Sequence, residues 1–377
     1  MKLYIPVASG VEASVKRQLR QLGYGDCPAL SGRICLEGGW QDVARLNVCL
    51  RAGERVLIGV GEFPSPDFDA LFDGVSALPW EEYLSPHSRI LMDGKCVKSN
   101  LMAVKATGGV VKKAIAERLM KKFGVRTLDE RGERTVVGVY LCENTAYLTL
   151  DTSGDGLHKR GYRVRTYDAP LRETTAAAMI ESSFFRGGKP FADLFCGSGT
   201  LPVEAALYMR NIAPGIARQF DFTRWKCTPP GVLWAAREEA RDLENREPLP
   251  PLFASDISEK AIGIARFHAA RAGVEGDIVF QTQDMRRFRS PESFGVILSN
   301  PPYGERMGDA DLMGLYRDFG KVFRSLRDWS CYFLSAYEGA ERAFGGRADK
   351  KRHLWNARLA CTCLLYTSPS PRDMRRS

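Results

Sequence analysis

Phe191-Ala192-Asp193-Leu194-Phe195-Cys196-Gly197-Ser198-Gly199-Thr200 reads as a short buried strand, a glycine loop and the first residue of a helix. Glycines 197 and 199 let a ligand approach the backbone, and the helix that follows offers free N–H groups at its start. At the carboxyl end of a parallel strand, such a loop is the usual place for a nucleotide or cofactor. It lacks the third glycine of the dinucleotide fingerprint and the Lys-Ser/Thr pair of a phosphate-binding loop, so alone it does not name its ligand.

The rhythm continues downstream. Strands are expected at 252–254, 278–281, 295–298 and 331–335, with helices beginning near Ser258 and spanning 312–323. Alternation of this kind predicts a parallel, doubly wound α/β sheet. The stretch 211–251, rich in Pro, Trp and charge, reads as an insertion.

Each strand of this series ends on chemistry. Asp256, in FASDIS, is placed to accept both hydroxyls of a ribose or to cap the next helix. Asp284, in QTQDM, is placed to accept from an adenine amino group or to cap a turn. The fourth strand runs into Val296-Ile297-Leu298-Ser299-Asn300-Pro301-Pro302-Tyr303-Gly304-Glu305-Arg306, where two prolines end the ladder. An exocyclic amine on an aromatic base is a poor nucleophile, because its lone pair is delocalised into the ring. The Asn300 oxygen and the Pro301 carbonyl together can accept both amine hydrogens and aim the lone pair at a methyl donor. Pro301 and Pro302 hold those acceptors rigidly, and Tyr303 offers a face for the base.

Upstream, residues 1–63 read as a small α+β unit: a strand at 3–7, a helix with Val11, Val15, Leu19 and Leu22 on one face, a strand at 33–36, a helix at 43–50 and a strand at 55–63. Residues 64–155 read as a second unit, with a helix at 68–78, strands at 89–92, 136–140 and 146–151, and a basic helix at 109–123 whose apolar stripe is Val111, Ile115, Leu119 and Phe123. The net charge is +9, and ten Lys/Arg against two acids between Arg89 and Arg126 hold +8 of it. So concentrated a field fits a polyanion. Lys98, Lys112, Lys113, Lys121 and Lys122, with Lys159, Arg160 and Arg163 of the turn-rich segment 157–165, are the candidate phosphate contacts.

Ten cysteines without a CxxC pair and four dispersed histidines argue against a metal site and for a reducing cytoplasm. The N-terminus lacks a signal peptide's apolar region. The last fourteen residues, 364–377, break with the rest, and Cys363 to Asp373 is similar to a translated sequencing-library adapter. The expectation is that 364–377 are foreign to the fold and that the natural C-terminus is not represented.

Taken together, these residues resemble the class I S-adenosylmethionine-dependent methyltransferases that act on exocyclic amines. Within that class the chain resembles the THUMP-domain RNA methyltransferases, and more narrowly the bacterial enzymes that make N2-methylguanosine in large-subunit ribosomal RNA. The resemblance lies in VKSNLMAVKATGGVVKKAIAERL, DTSGDGLHKRGYR, APLRETTAAAM, DLFCGSGTLPVEAA and SNPPYGER. It implies a ferredoxin-like domain at 1–63, a THUMP domain at 64–155 and a Rossmann-like methyltransferase domain at 156–363. It further implies S-adenosylmethionine as cofactor, with Asp193, Cys196, Gly197, Gly199 and Thr200 on its methionine side, Asp256 at its ribose and Asp284 at its adenine. Asn300 to Tyr303 would hold the target base. Ala357 stands where a glycine is expected after Asn356. An Asn-Pro-Pro-Tyr motif alone equally suits DNA adenine-N6 and protein glutamine methyltransferases, and a non-catalytic ribosome-assembly factor is the reading of a different class.

Overall fold

Two seven-stranded sheets organise the protein in a computed structural model, which describes residues 1–30, 32–165, 171–303, 308–356 and 359–367. The first is built from β1 (Lys2–Pro6), α1 (Glu12–Gln21), β2 (Ala29–Leu30), β3 (Arg33–Glu37), α2 (Trp40–Cys49), β4 (Leu57–Pro64), α3 (Phe68–Ala77), β5 (Arg89–Val97), α4 (Val104–Phe123), β6 (Arg134–Cys142) and β7 (Thr145–Asp151). Its order is β2-β3-β1-β4-β7-β6-β5. Leu3, Ile5, Ile34, Ile58, Leu148 and Leu150 bury one face of it against Val15, Leu19, Val43 and Leu46 of the helices. Strand alternation and helical spacing therefore meet in one apolar layer.

The two N-terminal units share this sheet. β4 pairs with β1 at Leu57 and Ile58 and with β7 from Leu57 to Pro64, bulging between Gly59 and Gly61. A division at residue 63 thus falls inside a strand that both units use. The basic helix is longer than expected, because it begins at Val104 and takes in Gly108 rather than starting at Gly109. Its stripe also turns. A strict four-residue spacing drifts about 40° per step at 3.6 residues per turn, so Phe123 has rotated out to 39% exposure while Val111, Ile115 and Leu119 stay buried.

The second sheet follows: α5 (Glu173–Ser182), β8 (Phe191–Asp193), α6 (Thr200–Met209), α7 (Val232–Asp242), β9 (Leu252–Asp256), α8 (Glu259–Ala272), β10 (Val279–Thr282), β11 (Val296–Ser299), α9 (Asp309–Ser325), β12 (Ser330–Ser335), α10 (Ala340–Phe344), β13 (Lys350–Asn356) and β14 (Leu359–Thr367). Its order is β10-β9-β8-β11-β12-β14-β13, parallel except for the antiparallel β14. The reversal of strand order at β8 leaves a crevice at the carboxyl ends of β8 and β11.

Two expectations change. Residues 364–367, set aside with the tail, form the second half of β14: Leu364, Leu365 and Tyr366 are buried, and Tyr366 stacks on Phe333 with ring centroids 5.8 Å apart. Apolar residues suit a strand covered on both faces, so the boundary at 363 comes too early. Residues 368–377, and Ala357, lie outside the described residues.

The stretch 211–251 is a brace rather than a free insertion. Gly215 N donates to Val48 O (2.8 Å), Arg51 Nη2 donates to Ile212 O (2.9 Å), and Arg45 pairs with Glu239 of α7 (2.9 Å). A Cβ at Gly215 would sit 2.5 Å from Asn47 O, so glycine permits the close approach. Trp40 stacks on Phe222, their centroids 6.4 Å apart.

Candidate functional site

The crevice is assembled by hydrogen bonds from backbone N–H groups after β8 to its neighbouring strands. Cys196 N donates to Ser255 O (3.0 Å), Gly197 N to Asp256 Oδ2 (3.0 Å), and Leu194 N to Ser299 Oγ (3.0 Å). The glycine loop is thereby pinned to β9 on one side and β11 on the other. His268 of α8 holds it from below, fully buried, with Nδ1 2.9 Å from Ser198 O. Burial holds that imidazole below its ordinary pKa, with the Ser198 carbonyl acting the other way.

Gly199 has φ +85°, and a Cβ there would lie 2.8 Å from Ala265 Cβ and 3.0 Å from Ala265 Cα. Both facts demand glycine. Gly199→Ala is expected to cost about 1–3 kcal/mol of stability through backbone strain and overpacking and to loosen the loop. Denaturant unfolding and donor-binding calorimetry read this out; an unchanged midpoint with unchanged affinity would show that the loop tolerates the methyl. At Gly197 a Cβ would meet nothing within 4 Å, so that side of the loop faces open space.

Asp193 is fully buried, and desolvation raises its carboxyl to about 7 even though Ser299 and the Phe195 N–H bond the ionised form. Burial also pushes the Cys196 thiol well up, so it is a poor nucleophile. Thr200 is buried at the first turn of α6. Asp256 accepts from Ser258 N (2.9 Å) in the turn before α8, where Ser258 is the cap, and from Gly197 N, which leaves lone pairs for a ligand on both oxygens. Ile257 beside it is 73% exposed. That bulky aliphatic side chain at the lip was not singled out by sequence, because one apolar residue after a strand has no distinctive pattern.

Asp284 lies one strand away, beyond the Thr282–Asp256 pair. It caps a turn by accepting from Arg286 N (2.9 Å) and pairs with the Arg286 guanidinium (3.0 Å). These bonds, the backbone one first, hold its carboxyl below the usual range. Turn-capping is the role its contacts show.

At the end of β11, Asn300 Oδ1 is buried with no hydrogen-bond partner among the described residues. An orphaned buried acceptor costs about 1–3 kcal/mol and needs a donor. Pro301 is buried, Pro302 exposed and Tyr303 half-buried against the core. The turn is locked by Tyr316 of α9, whose hydroxyl donates to Pro302 O (3.1 Å) and meets Ser335 Oγ (2.8 Å). Tyr316 reads in sequence as one more apolar position on a helix stripe, which conceals this job. Gly304, Glu305 and Arg306 lie outside the described residues.

Asp193, Cys196, Gly197, Gly199, Thr200, Asp256 and Asn300 therefore converge on one crevice. The basic candidates divide. Lys98 and Lys121 are exposed without an ion pair among the described residues, and so is Lys105. Lys112 pairs with Glu130 (2.7 Å), Lys113 with Glu117 (3.8 Å), Lys122 with Glu81 (3.5 Å) and Lys159 with Asp155 (3.2 Å). Arg163 is half-buried on Glu173 (3.1 Å) and Leu171 O (2.9 Å). Arg160 is not a phosphate contact. It is buried against Glu204 (3.4 Å), which also accepts from Tyr162, and it donates to Leu157 O and Arg51 O. A basic, turn-rich sequence cannot distinguish an arginine turned inward onto a buried acid from one turned out.

Among the described residues no helix is long and apolar enough to cross a membrane, and no cluster of three or more His, Cys, Asp or Glu could hold a metal. Comparison with known families matches residues 160–364 to the "RMKL-like, methyltransferase domain", 2–57 to the "RlmL ferredoxin-like domain" and 65–151 to the "THUMP domain". The chain is 38% identical over 374 residues to "Putative RNA methyltransferase YpsC" of Bacillus subtilis, covering 98% of this chain and 97% of the relative. It is 31% identical to "Ribosomal RNA large subunit methyltransferase K/L" of Syntrophotalea carbinolica, covering 97% of this chain but 53% of that protein. The chain thus spans about half the length of that K/L relative. Two crystal structures superpose over nearly the whole chain. One is "a predicted N6-adenine-specific DNA methylase" from Listeria monocytogenes, with 40% identity, coverage of 98% and 96%, and a TM-score of 0.92. The other is SMU.472, "a putative methyltransferase complexed with SAH", with 36% identity, coverage of 97% of each chain and a TM-score of 0.90.

Proposed function

The chain belongs to the RMKL-like methyltransferases, S-adenosylmethionine-dependent RNA methyltransferases that carry a ferredoxin-like and a THUMP domain, and from that premise we propose that it methylates the exocyclic N2 of a guanosine in large-subunit ribosomal RNA. The observation that carries the reading is the orphaned Asn300 Oδ1 at the end of β11, one strand from the glycine loop.

The crevice fits the donor: the loop is open at Gly197, and Asp256 keeps acceptor capacity. Asp256 would hold the ribose hydroxyls, Ile257 would cover the adenine and Asp284 would flank it. Asp193, Cys196, Gly197, Gly199 and Thr200 would line the methionine end. When bound, the donor supplies an electrophilic methyl group on a sulfonium. Asn300 Oδ1 accepts one hydrogen of the target amine, and the Pro301 carbonyl is the second acceptor in this reading. With both hydrogens engaged, the nitrogen lone pair leaves conjugation with the ring and becomes nucleophilic. The proton is shed after the nitrogen's charge rises, so no strong general base is required. Tyr316, through Pro302 O, keeps the acceptors in place. Tyr303 supplies the face against which the base rests.

Guanine N2 rests on the resemblance carried by SNPPYGER and the junction DTSGDGLHKRGYR. The Listeria structure's name favours a second reading, DNA adenine N6. Incubation with tritiated donor and separate RNA, DNA and protein pools, followed by nucleoside mass spectrometry, decides between them. N2-methylguanosine in large-subunit ribosomal RNA is expected; label confined to DNA or protein would overturn the proposal. Acting on ribosomal RNA, the enzyme would work in the cytoplasm.

The lysines without an ion pair among the described residues carry a separate expectation. Changing Lys105 and Lys121 to Glu is expected to weaken RNA binding at low salt roughly tenfold and to flatten the log–log salt slope by about 1.5. An unchanged slope would mean that these side chains only solvate α4.

A further inference from the structure

β12 ends at Ser335, paired with Thr362 of β14. The β13–β14 hairpin rises past that level, through Leu354–Cys361, Trp355–Ala360 and Asn356–Leu359. Leu354 and Cys361 turn into the core, whereas Trp355, on the opposite face of its strand, is 49% exposed. β13 lies three strand spacings from β11, about 14 Å, and Trp355 stands three residues beyond the level of Asn300, about 10 Å along the strands. The indole is therefore on the rim of the catalytic crevice, at its β13 side.

Scattered exposed apolar residues are normal. Trp234 is more exposed still, at 67%, but it sits on α7 of the brace, away from the strand ends. What sets Trp355 apart is its place at the strand ends. An aromatic face on that rim, in a chain of net charge +9, suits a polyanion whose subunits stack.

We propose that Trp355 is a stacking platform for an unpaired nucleotide flanking the target. The proposal rests on the reading that the substrate is RNA. A base must leave its stack for its amine to reach Asn300. Its neighbour in the strand then loses a stacking partner, and the indole replaces that partner. Every base has a π-face, so the contact supplies affinity and position without sequence preference.

The test uses the full chain with protein-free bacterial large-subunit ribosomal RNA. Trp355→Ala is expected to raise the KM for RNA roughly tenfold or more, with kcat at saturating RNA and donor affinity unchanged. Trp355→Phe keeps an aromatic face and restores most of the KM, which separates stacking from loss of folding. RNA is expected to quench tryptophan emission in the native chain and in Trp234→Phe, and much less in Trp355→Phe. An unaltered KM in Trp355→Ala, or full quenching in Trp355→Phe, overturns the proposal. If the native chain transfers methyl to DNA and none to RNA, the RNA reading itself falls, and this proposal with it.

Discussion

Asn300→Ala is expected to lower kcat by roughly 10²–10³-fold, the usual cost of removing one preorganised polar group from a site where charge develops, while donor affinity stays within a few-fold of native. The asymmetry follows from position. The glycine loop and Asp256 belong to β8 and β9, whereas Asn300 follows β11 and holds an acceptor that nothing among the described residues uses. Stability is expected to hold or rise slightly, because an orphaned buried oxygen is removed. Single-turnover transfer and calorimetry with the donor measure the two halves of the claim. Methylation at the native rate would refute the role given to Asn300.

The second large effect concerns folding. Glu204→Ala leaves the Arg160 guanidinium buried without its carboxylate, close to Arg51, and strands the Tyr162 hydroxyl. Breaking such a pair from one side costs about 3–5 kcal/mol, read as a lower guanidinium midpoint. Replacing both partners, Arg160→Met with Glu204→Leu, is expected to recover most of the loss, since well-packed apolar groups incur no desolvation penalty. A single variant that unfolds at the native midpoint would show that solvent already reaches the pair. The Arg160 guanidinium donates to Arg51 O of the first module and to Glu204 of α6 in the second sheet, so the loss should fall on the seam between them.

Where a local pattern decides the structure, the sequence was readable. Strand–glycine–helix at 191–200, acids after β9 and β10, and Asn-Pro-Pro after β11 all follow from backbone constraints that leave a mark on residue type. α5 leaves none: nearly every residue from Glu173 to Glu181 is buried, so no amphipathic period exists to find. Tyr316 and His268 act through a single polar atom on an otherwise apolar face, and their sequence context is that of any core residue. Charge was the least transferable signal. Ten cations between 89 and 126 predict a field, yet only the fold shows which of them are spent on Glu81, Glu117 and Glu130. The brace at 211–251 was invisible for a related reason: its partners lie some 170 residues upstream.

The strand shared by the first two modules constrains how the protein can be made. β4 emerges early in synthesis, but its long partner β7 pairs Leu57 with Asp151 and follows it by more than ninety residues. Until then β4 offers a bare edge to any chain nearby. A fragment cut at residue 64 would keep that edge permanently, and one begun at 65 would expose the matching edge of β7. Neither half is a natural unit for expression. The smallest piece expected to stay soluble runs from β1 through β7, and ribosome-bound chains shorter than this are where a holding chaperone would be needed.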